Sequence, residues 1–477
     1  MIAPKQLVTS PIRAEIERHL RSSIYTVSKL SELAKIDAGH LGSFLNGHPR
    51  WTLSVNQLDA IGQAFGKPVG WLYDLYVEEC FRSGKVSKRR VKSYLVQCAE
   101  IGRYDCIQMV VPRVLEDPKH IEVFFDVAEQ LFYKGRQKES IFFYQLVVNN
   151  EVNFHKKQNV MSRYRLFQMS EKTNTEMLWK AVLLFEPLRK GLSKHCQLDA
   201  LSRLGNHCCT LGRWKEVGKY AEELLESVNS VYKDEMLKKK RGNDEEIELL
   251  NPERHLVAYY GQGYLLKALS LEKQGHYEQA KKFVGYCTDL RRFKLLGETG
   301  RVEVEKYKHL ALEYMYRLDM LMGDTSVLGD YTRYLKDHPE GVLSGLVAIL
   351  ESANKHGFTV DAILDEFSNK IDSFNSYHDS IDLDHHLQFR YQLAIYQFKN
   401  ERYQNGITET LRCLTLSIIL NSSKEFIRCV ALFEAYRDHA TSQQERDYKI
   451  ALEEVMRDER LIGRPHPHSE ERPTVKH

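Results

Sequence analysis

The stretch that decides the fold of the first part of the chain runs from residue 25 to residue 47 and reads YTVSKLSELAKIDAGHLGSFLNG. Its apolar residues recur at helical spacing with one interruption after Lys35, which predicts two short helices that meet there. Asp37 is placed to cap the second helix, because its carboxylate can accept hydrogen bonds from the free N–H groups of the first turn. Asn46 and Gly47 end that helix, since both residues tolerate the left-handed backbone of a C-terminal cap.

The residues after this stretch predict two further helices. Ser54 opens the next helix, in which Leu58 and Ile61 stand at core spacing, and a last helix begins near Trp71. A helix, a three-residue turn, a second helix and two packing helices form the layout that presents a recognition helix to the major groove of DNA. Residues 1–76 are therefore predicted to form a helical head.

The stretch 25–47, with its continuation to about Leu75, resembles the Xre and lambda-repressor-like family of helix-turn-helix proteins. The resemblance implies that the start of the first of these helices contacts phosphates and that one side of the second helix faces the groove. The residues that it implies as DNA-binding are Thr26, Ser28, Asp37, Ala38, Gly39, His40, Ser43, Asn46, His48 and Arg50. The residues expected in the core of the head are Leu33, Leu41, Phe44 and Trp71.

The sequence departs from this family at two positions of the recognition helix. Ala38 and Gly39 have no side chain that could make the bidentate contacts by which base pairs are usually discriminated. Direct readout is therefore expected from His40 and Ser43. Much of the affinity would come from phosphate contacts and from DNA shape.

The distribution of charge supports a head that meets a polyanion. Residues 1–95 carry 14 Lys and Arg against 8 Asp and Glu, an excess of +6, and since the whole chain carries +3, residues 96–477 sum to −3. Much of this excess comes from Lys85, Lys88, Arg89, Arg90 and Lys92. We expect a basic connecting helix over residues 77–95, with Lys88, Arg89 and Arg90 toward DNA. The alternative is that these cations only solvate one helix face.

The remainder, residues 96–460, reads as a succession of amphipathic helices separated by small residues. The expected turns are at Gly102, Gly135, Gly212, Gly275, Gly323, Gly357 and, as a substitute for glycine, Asn400. Gly102 and Gly135 are 33 residues apart, and Gly323 and Gly357 are 34 apart. A period near 34 with a turn between paired helices is typical of tetratricopeptide repeats.

Residues just after the turns agree with this pattern. Aromatic residues expected to fill the space between paired helices are Tyr104, Trp214, Tyr277 and Phe358. Small residues at Ala280 and Ala362 are expected where helices approach closely. The chain is thus predicted to be all-α, with the head followed by a right-handed solenoid of about seven to nine helix pairs that has a concave face. The polar, proline-broken residues 461–477 are predicted to be a disordered tail.

Several classes of protein are excluded by what the sequence lacks. None of the sequence signatures of nucleotide-binding loops, α/β-hydrolases or zinc peptidases is found, so we expect no enzyme and no cofactor. The nine cysteines never stand as Cys-x-x-Cys, and His207-Cys208-Cys209 lacks a zinc-ribbon spacing. The cluster Asp382–His386 opens a predicted helix, where the helix dipole favours acidic residues, so no metal is expected. No apolar run could span a bilayer, and no secretory signal begins the chain, so we expect a cytoplasmic protein with no membrane partner.

An Xre-type head on a tetratricopeptide body resembles the RRNPP family of cytosolic receptors for short signalling peptides. Residues 71–111 are similar to the arbitrium receptors of phages, which control lysis against lysogeny. The resemblance implies a quorum-sensing homodimer that binds a double-stranded DNA operator, with a peptide of about five to ten residues held by side-chain amides in the groove. Family members commonly carry a peptide-clamping Asn on the first helix of a repeat, where this chain has Asn206.

Other polar residues on the first helices of the predicted pairs are further candidates for peptide contact. These candidates are Arg163, Arg165, Gln262, Lys267, Gln388, Arg390 and Gln392. Arginine suits a carboxylate because its planar fork binds such a group bidentately. Each of these residues could instead be a solvated surface residue. The alternative function is a ligand-independent repressor whose repeats bind another protein, and an enzyme regulated by its repeats is the third interpretation.

Overall fold

The computed structural model describes residues 11–48, 51–82, 85–170, 175–240, 254–374 and 380–457. Within these residues the chain is all-helical apart from one antiparallel ladder of two residue pairs. It divides into two compact units, Met1–Arg213 and Trp214–His477. The first unit combines the predicted head, the connecting segment and the first helices of the repeat body.

The first unit contains twelve of the described helices and both strands. The elements are α1 (Pro11–Ser23), α2 (Val27–Ala34), α3 (Ala38–Leu45), α4 (Val55–Ala64), α5 (Tyr73–Tyr76), β1 (Phe81–Arg82), β2 (Lys85–Val86), α6 (Lys88–Glu100), α7 (Tyr104–Leu115), α8 (Glu122–Tyr133), α9 (Gln137–Asn150), α10 (Lys157–Gln168), α11 (Thr175–Phe185) and α12 (Lys194–Thr210).

The second unit continues with helices of more variable length. They are α13 (Trp214–Lys240), α14 (Leu256–Lys273), α15 (Tyr277–Thr288), α16 (Glu298–Met322), α17 (Leu328–Asp337), α18 (Val342–His356), α19 (Asp361–Glu366), α20 (Ser368–Ser373), α21 (Ser380–Lys399), α22 (Tyr403–Ile419), α23 (Ser423–Ala435) and α24 (Ser442–Arg457).

The two helices predicted from the stretch 25–47 are present, and the predicted Asp37 cap is confirmed, while Thr26 is a second cap that was not predicted. Thr26 caps α2 by accepting from the N–H of Lys29 at 3.1 Å, and Asp37 caps α3 by accepting from the N–H of His40 at 2.7 Å. The turn between the helices is short because Lys35 adopts the left-handed conformation, with φ of 51°. Gly47, with φ of 83°, ends α3 as predicted.

The core of the head is formed mainly by the residues that the helical spacing selects. Leu41 and Phe44 of α3 are buried, with Ile61 of α4, and Trp71 packs against them at the edge of the core. Leu33 is an exception, because its side chain is 43% exposed. The core contact at this end of α2 is made by Ile36, which is 5% exposed, so the expectation for Leu33 was wrong.

The connecting segment differs from the single helix predicted over residues 77–95. After α5 a 3₁₀ turn over Val77–Cys80 leads into β1, which pairs with β2 before α6 begins at Lys88. Phe81 gives a physical reason for the strand, since its ring is buried and the Arg113 guanidinium lies 3.9 Å from its centroid.

The head and the first helix pairs share one hydrophobic core. Tyr94 of α6 packs its ring 5.6 Å from that of Tyr73 and 5.5 Å from that of Tyr76, and its hydroxyl donates to the Tyr73 carbonyl at 2.6 Å. All three side chains are buried. Helix α6 is therefore held to the head by packing and by a hydrogen bond, so a displacement of α6 would act directly on the head.

Within each unit the helices after the head stack as successive pairs. Helix α8 contacts its own second helix, α9, and the first helix of the next pair, α10, and α16 contacts α17 and α18 in the same way. All six predicted glycine turns have positive φ, between 65° and 89°, so these turns are confirmed. At the seventh turn the left-handed residue is Glu401, with φ of 59°, and Asn400 is instead the residue before it.

The residues after the turns follow the prediction only in part. Ala280 is fully buried, and Trp214, Tyr277 and Phe358 are half-buried. Tyr104 is 56% exposed and Ala362 is exposed, so both expectations were wrong. Helix α19, which contains Ala362, spans only six residues, so it is too short for a full-length face like that around Ala280. The predicted tail, residues 461–477, lies outside the described residues.

Candidate functional site

Helix α3 turns one side into the core and leaves the other side exposed. Leu41, Phe44 and Leu45 are buried, with exposed fractions of at most 9%. Ala38 and Gly39 are exposed on the opposite side, next to the Asp37 cap. This exposed side is the part of the head that the sequence predicts to face DNA, and it lacks long side chains.

The other residues predicted to contact DNA lie around this exposed side. Thr26 and Ser28 are exposed at the start of α2, and Asn46 and His48 are exposed beyond the end of α3. Ser43 is half-buried. Arg50 lies outside the described residues. The start of α2 and the end of α3 thus place these predicted residues at the protein surface.

His40 is more constrained than the sequence suggests. Its Nε2 atom lies 3.1 Å from the Thr52 carbonyl oxygen, within hydrogen-bond distance. Its ring centroid lies 4.8 Å from that of Trp51, and Trp51 is 42% exposed. His40 therefore connects α3 to the segment before α4, in addition to lying at the edge of the exposed side.

Two of the three basic residues predicted to face DNA are engaged within the chain. The Arg90 guanidinium donates to the Thr52 hydroxyl at 2.9 Å and to the Glu79 carbonyl at 3.0 Å. Lys88 forms an ion pair with Glu122 of α8, and this hydrogen bond lowers the pKa of the Glu122 carboxyl. Arg90 and Lys88 thus have partners within the chain, because acceptors on neighbouring elements lie within their reach. Arg89 is exposed.

A second polar cluster lies in the repeat part of the first unit and begins on α8. Glu129 accepts from Arg165 Nε at 3.0 Å and from the Tyr144 hydroxyl at 2.5 Å. Arg165 also donates to the Tyr133 hydroxyl at 2.9 Å and to the Gln168 side-chain oxygen at 3.0 Å. Burial raises the pKa of Tyr144, and its hydrogen bond to Glu129 acts in the same direction.

The cluster continues from α10 to α12. The amide of Gln168 donates to the Tyr164 hydroxyl at 2.9 Å and to the Asp199 carboxylate at 3.2 Å. Tyr164 also donates to Asp199, which is 4% exposed, and Arg203 Nε donates to the same carboxylate oxygen at 2.7 Å. The contacts therefore form a continuous chain of hydrogen bonds across α8, α10 and α12.

Asn206 belongs to the same side of α12 as this chain of contacts. Asp199, Arg203, Asn206 and Thr210 follow each other at intervals of four, three and four, which places them along one helix face. Asn206 is half-buried, and its carbonyl accepts from the Thr210 hydroxyl at 3.3 Å. We call the set formed by Glu129, Arg165, Gln168, Asp199, Arg203 and Asn206 the polar face.

Arg163 is on α10, two residues from Arg165, but has different neighbours. Its Nε donates to Asn159 Oδ1 at 2.9 Å, and its guanidinium lies 5.2 Å from the centre of the Phe154 ring. Loss of solvation lowers the pKa of the Arg163 guanidinium. The structure thus does not bring Arg163 into the hydrogen-bond chain of the polar face.

The remaining peptide candidates lie in the second unit, each in a local set of contacts. Gln262 accepts from the Tyr307 hydroxyl at 3.4 Å, and Lys267 pairs with Glu222 at 2.5 Å. Gln388 donates to Asp384 at 2.8 Å.

Gln392 accepts from the Asn354 amide at both its carbonyl and its side-chain oxygen, at 2.8 and 3.0 Å. The candidates of the second unit therefore have partners on their own or neighbouring helices.

Arg165 and Arg390 are the two candidates that the structure places inside a helix stack. Arg390 is 2% exposed, donates to His386 Nε2 at 2.9 Å and pairs with Glu409 at 3.0 Å. Arg165 is 7% exposed and pairs with Glu129. Both were expected to face a ligand at the surface, and both instead form buried ion pairs because an acid on another helix lies opposite each of them.

The sequence does not single out most of the polar face. Glu129, Gln168, Asp199 and Arg203 are missing from the prediction, although the intervals from Asp199 to Arg203 and Asn206 are a visible signal of one helix face. No local pattern shows that Glu129 and Arg165, 36 residues apart, meet across two helices. In the part of the chain that the structure describes, no group of three or more His, Cys, Asp or Glu side chains could hold a metal ion. No helix within the described ranges is both long and apolar enough to cross a membrane.

Comparison with known proteins gives little further information. No family model matches the chain, and no curated protein matches it. A solved structure that matches is described as a circular tandem repeat protein with novel repeat topology and enhanced subunit contact surfaces. It is 12% identical, the match covers 94% of this chain and 90% of that one, and the TM-score is 0.20. A score this low does not indicate a shared fold.

Proposed function

We propose that this chain is a cytoplasmic transcriptional regulator that binds a DNA operator through its head and a short signalling peptide through its repeats. The observation that carries the proposal is the pair α2 and α3, joined by a three-residue turn, with one side of α3 buried and the other exposed. This layout is the one in which a helix can enter the major groove.

The exposed side of α3 supports few contacts with base edges and relatively more contacts with the DNA phosphates. The Asp37 cap, Ala38 and Gly39 allow close approach of the helix to a duplex but offer few donors and acceptors for base edges. In a homodimer, two heads would bind a pseudo-palindromic operator about one helical turn of DNA apart, and the binding free energies of the two heads would add. A Xre-type repressor of this kind depends on phosphate contacts and therefore on salt.

The polar face supports the binding of an extended peptide. A helical groove cannot pair a peptide backbone by strand addition, but amide side chains such as that of Asn206 carry a donor and an acceptor together. The acids Glu129 and Asp199 are already paired with Arg165 and Arg203. The polar face is therefore close to neutral, and the peptide it suits is recognised through its backbone amides in preference to a net charge.

The packing of α6 gives a route by which the body could act on the head. Arg90 of α6 holds Thr52, and the Thr52 carbonyl lies beside His40 of α3. A peptide that binds one arrangement of the repeats better than another would shift the position of α6 and with it the exposed side of α3. Such coupling requires the peptide to distinguish the two arrangements.

The test of DNA binding is selection of duplexes from a random pool by the full chain, followed by anisotropy titration of the winning duplex at several salt concentrations. We expect a preferred sequence and an affinity that falls steeply with salt. Ala38→Glu should abolish binding, because it places a carboxylate against the groove, whereas Glu226→Ala, an exposed change on α13, should not change it. Equal binding of all duplexes would contradict the proposal.

The test of peptide binding uses a display library of random peptides of about five to ten residues against the full chain. Isothermal titration calorimetry should detect binding of a selected peptide. Asn206→Ala should weaken the affinity for that peptide by about tenfold or more. Lys138→Ala, an exposed change on α9 outside the polar face, is the control and should leave the affinity unchanged. Retained affinity in Asn206→Ala would show that the polar face is not the site.

The second candidate function is a repressor that needs no peptide and whose repeats bind another protein. One observation favours it: the charged groups of the polar face satisfy one another without a ligand. The two functions are separated by repeating the operator titration with and without each selected peptide. A ligand-independent repressor binds the operator with the same affinity in both cases.

A further inference from the structure

The exposed side of α3 has few atoms with which to read a base. Ala38 and Gly39 are exposed, and a Cβ atom placed at Gly42 would meet nothing within 4 Å. The backbone of α3 can therefore approach a duplex closely. If bases are discriminated at this surface, part of the discrimination must come from residues next to the helix.

Trp51 is the large side chain that borders this side of α3. Its indole is 42% exposed, and its ring lies 4.8 Å from that of His40 at an angle of 49°. The indole thus contacts a residue of α3, while much of the ring is open to solvent. A single exposed apolar side chain is common on proteins, so its place beside α3 matters more than its exposure.

The segment that carries Trp51 is fixed on both sides. The Trp51 N–H donates to the His48 carbonyl at 3.1 Å. Thr52 accepts from Arg90 at its hydroxyl, and its carbonyl lies 3.1 Å from His40 Nε2. The Leu53 carbonyl accepts from the Tyr76 hydroxyl at 3.0 Å. An aromatic ring on a segment held in this way loses little conformational freedom when it meets a partner.

We infer that Trp51 is an apolar contact for duplex DNA and that it reads the C5 methyl group of thymine at the edge of the major groove beside α3. The inference rests on the proposed function. An indole face has no hydrogen-bonding group, so it matches the thymine methyl, which is the apolar feature of the major-groove edge. Deoxyribose is the other apolar group of a duplex, and it carries no sequence information.

The experiment uses the full chain and the duplex that the random pool selects, with each thymine in turn replaced by deoxyuridine, which lacks only the methyl group. For the unmodified protein, one or two replacements should weaken binding by about threefold to tenfold. Trp51→Ala should weaken binding of the thymine duplex by a similar factor. The same replacements should then have no effect on Trp51→Ala, because the methyl has lost its partner.

Control variants separate contact from folding. Trp51→Phe keeps an aromatic ring and should retain most of the methyl dependence, whereas Trp179→Ala removes an indole from α11 and should leave DNA affinity unchanged. Thermal unfolding followed by circular dichroism checks that Trp51→Ala is folded. If Trp51→Ala weakens binding but no deoxyuridine replacement does, the ring contacts deoxyribose and the reading of thymine is overturned.

Failure of the inference is distinct from failure of the proposed function. If Ala38→Glu abolishes binding while Trp51→Ala binds as the unmodified chain does, the head binds DNA and the role of Trp51 is overturned. If no duplex is selected at all, the proposed function fails, and the inference fails with it.

Discussion

The Arg90 guanidinium donates to the Thr52 hydroxyl at 2.9 Å, across 38 residues of sequence. This contact ties α6 to the segment between α3 and α4. Because the Thr52 carbonyl also lies 3.1 Å from His40 Nε2, one residue connects α6 and α3. The sequence predicts a DNA contact for Arg90, and the structure gives it a position from which it can set the geometry of the head.

Replacing Arg90 should therefore affect stability as well as DNA binding. We expect Arg90→Ala to lower the free energy of unfolding by about 1–3 kcal/mol, because two hydrogen bonds made by a charged donor are lost in a partly buried place. Urea unfolding measures this change. Arg89→Ala is the matched control, since Arg89 is the exposed neighbour on the same helix and its loss should cost less than about 0.5 kcal/mol. Equal stability of the two variants would contradict a structural role for Arg90.

The cap of α3 can be tested without disturbing its core. Asp37→Ala removes the acceptor of the His40 N–H and should lower the free energy of unfolding by about 1 kcal/mol. Asp37→Asn keeps an acceptor and should cost much less. Thermal melting of both variants makes the comparison. If Ala and Asn have the same effect, the side-chain cap does not stabilise the helix.

Features set by neighbouring residues could be predicted from the sequence. The cap at Asp37 and the left-handed turn at Gly47 depend on residues within one turn of one another, and their residue types show them directly. The same holds for glycine turns such as Gly135, because a left-handed backbone has a strong preference for glycine. Local chemistry of this kind is visible in a single sequence.

Features set by distant residues could not be predicted. Arg165 and Arg390 look like surface cations, and only the positions of Glu129 and Glu409 on other helices show that they are buried ion pairs. The exposure of Tyr104 likewise depends on how its helix is rotated against its neighbours. Single-sequence periodicity gives the face of a helix but not the partner that covers it.

The turn between α21 and α22 offers a stabilising substitution. Glu401 has φ of 59°, a conformation that costs about 1 kcal/mol for a residue with a Cβ atom. Glu401→Gly should therefore raise the free energy of unfolding by about 0.5–1 kcal/mol, measured by urea unfolding. Asn400→Gly is the control, because Asn400 precedes the left-handed position and its amide donates to the Tyr396 carbonyl at 2.7 Å. Asn400→Gly should lower the free energy of unfolding. If instead Asn400→Gly stabilises the protein and Glu401→Gly destabilises it, the left-handed turn residue is Asn400.

The buried pair His386 and Arg390 makes stability depend on pH. Burial lowers the pKa of His386 from 6.5 to about 4, and the nearby charges of Arg390 and Arg412 act in the same direction. Between pH 6.5 and about 4 the unfolded chain binds a proton at this histidine that the folded chain does not. The free energy of unfolding therefore falls as the pH decreases through this window, by about 1–3 kcal/mol in total.

Urea unfolding at several pH values between 4 and 7 measures this dependence. His386→Gln retains an acceptor for Arg390 but does not titrate, so we expect the variant to lose this part of the fall in stability. His385→Gln is the matched control, because His385 is the adjacent residue of α21 and is less buried. If His386→Gln and the unmodified chain lose stability equally between pH 6.5 and 4, the buried imidazole does not drive the acid sensitivity, and other groups must be protonated on unfolding.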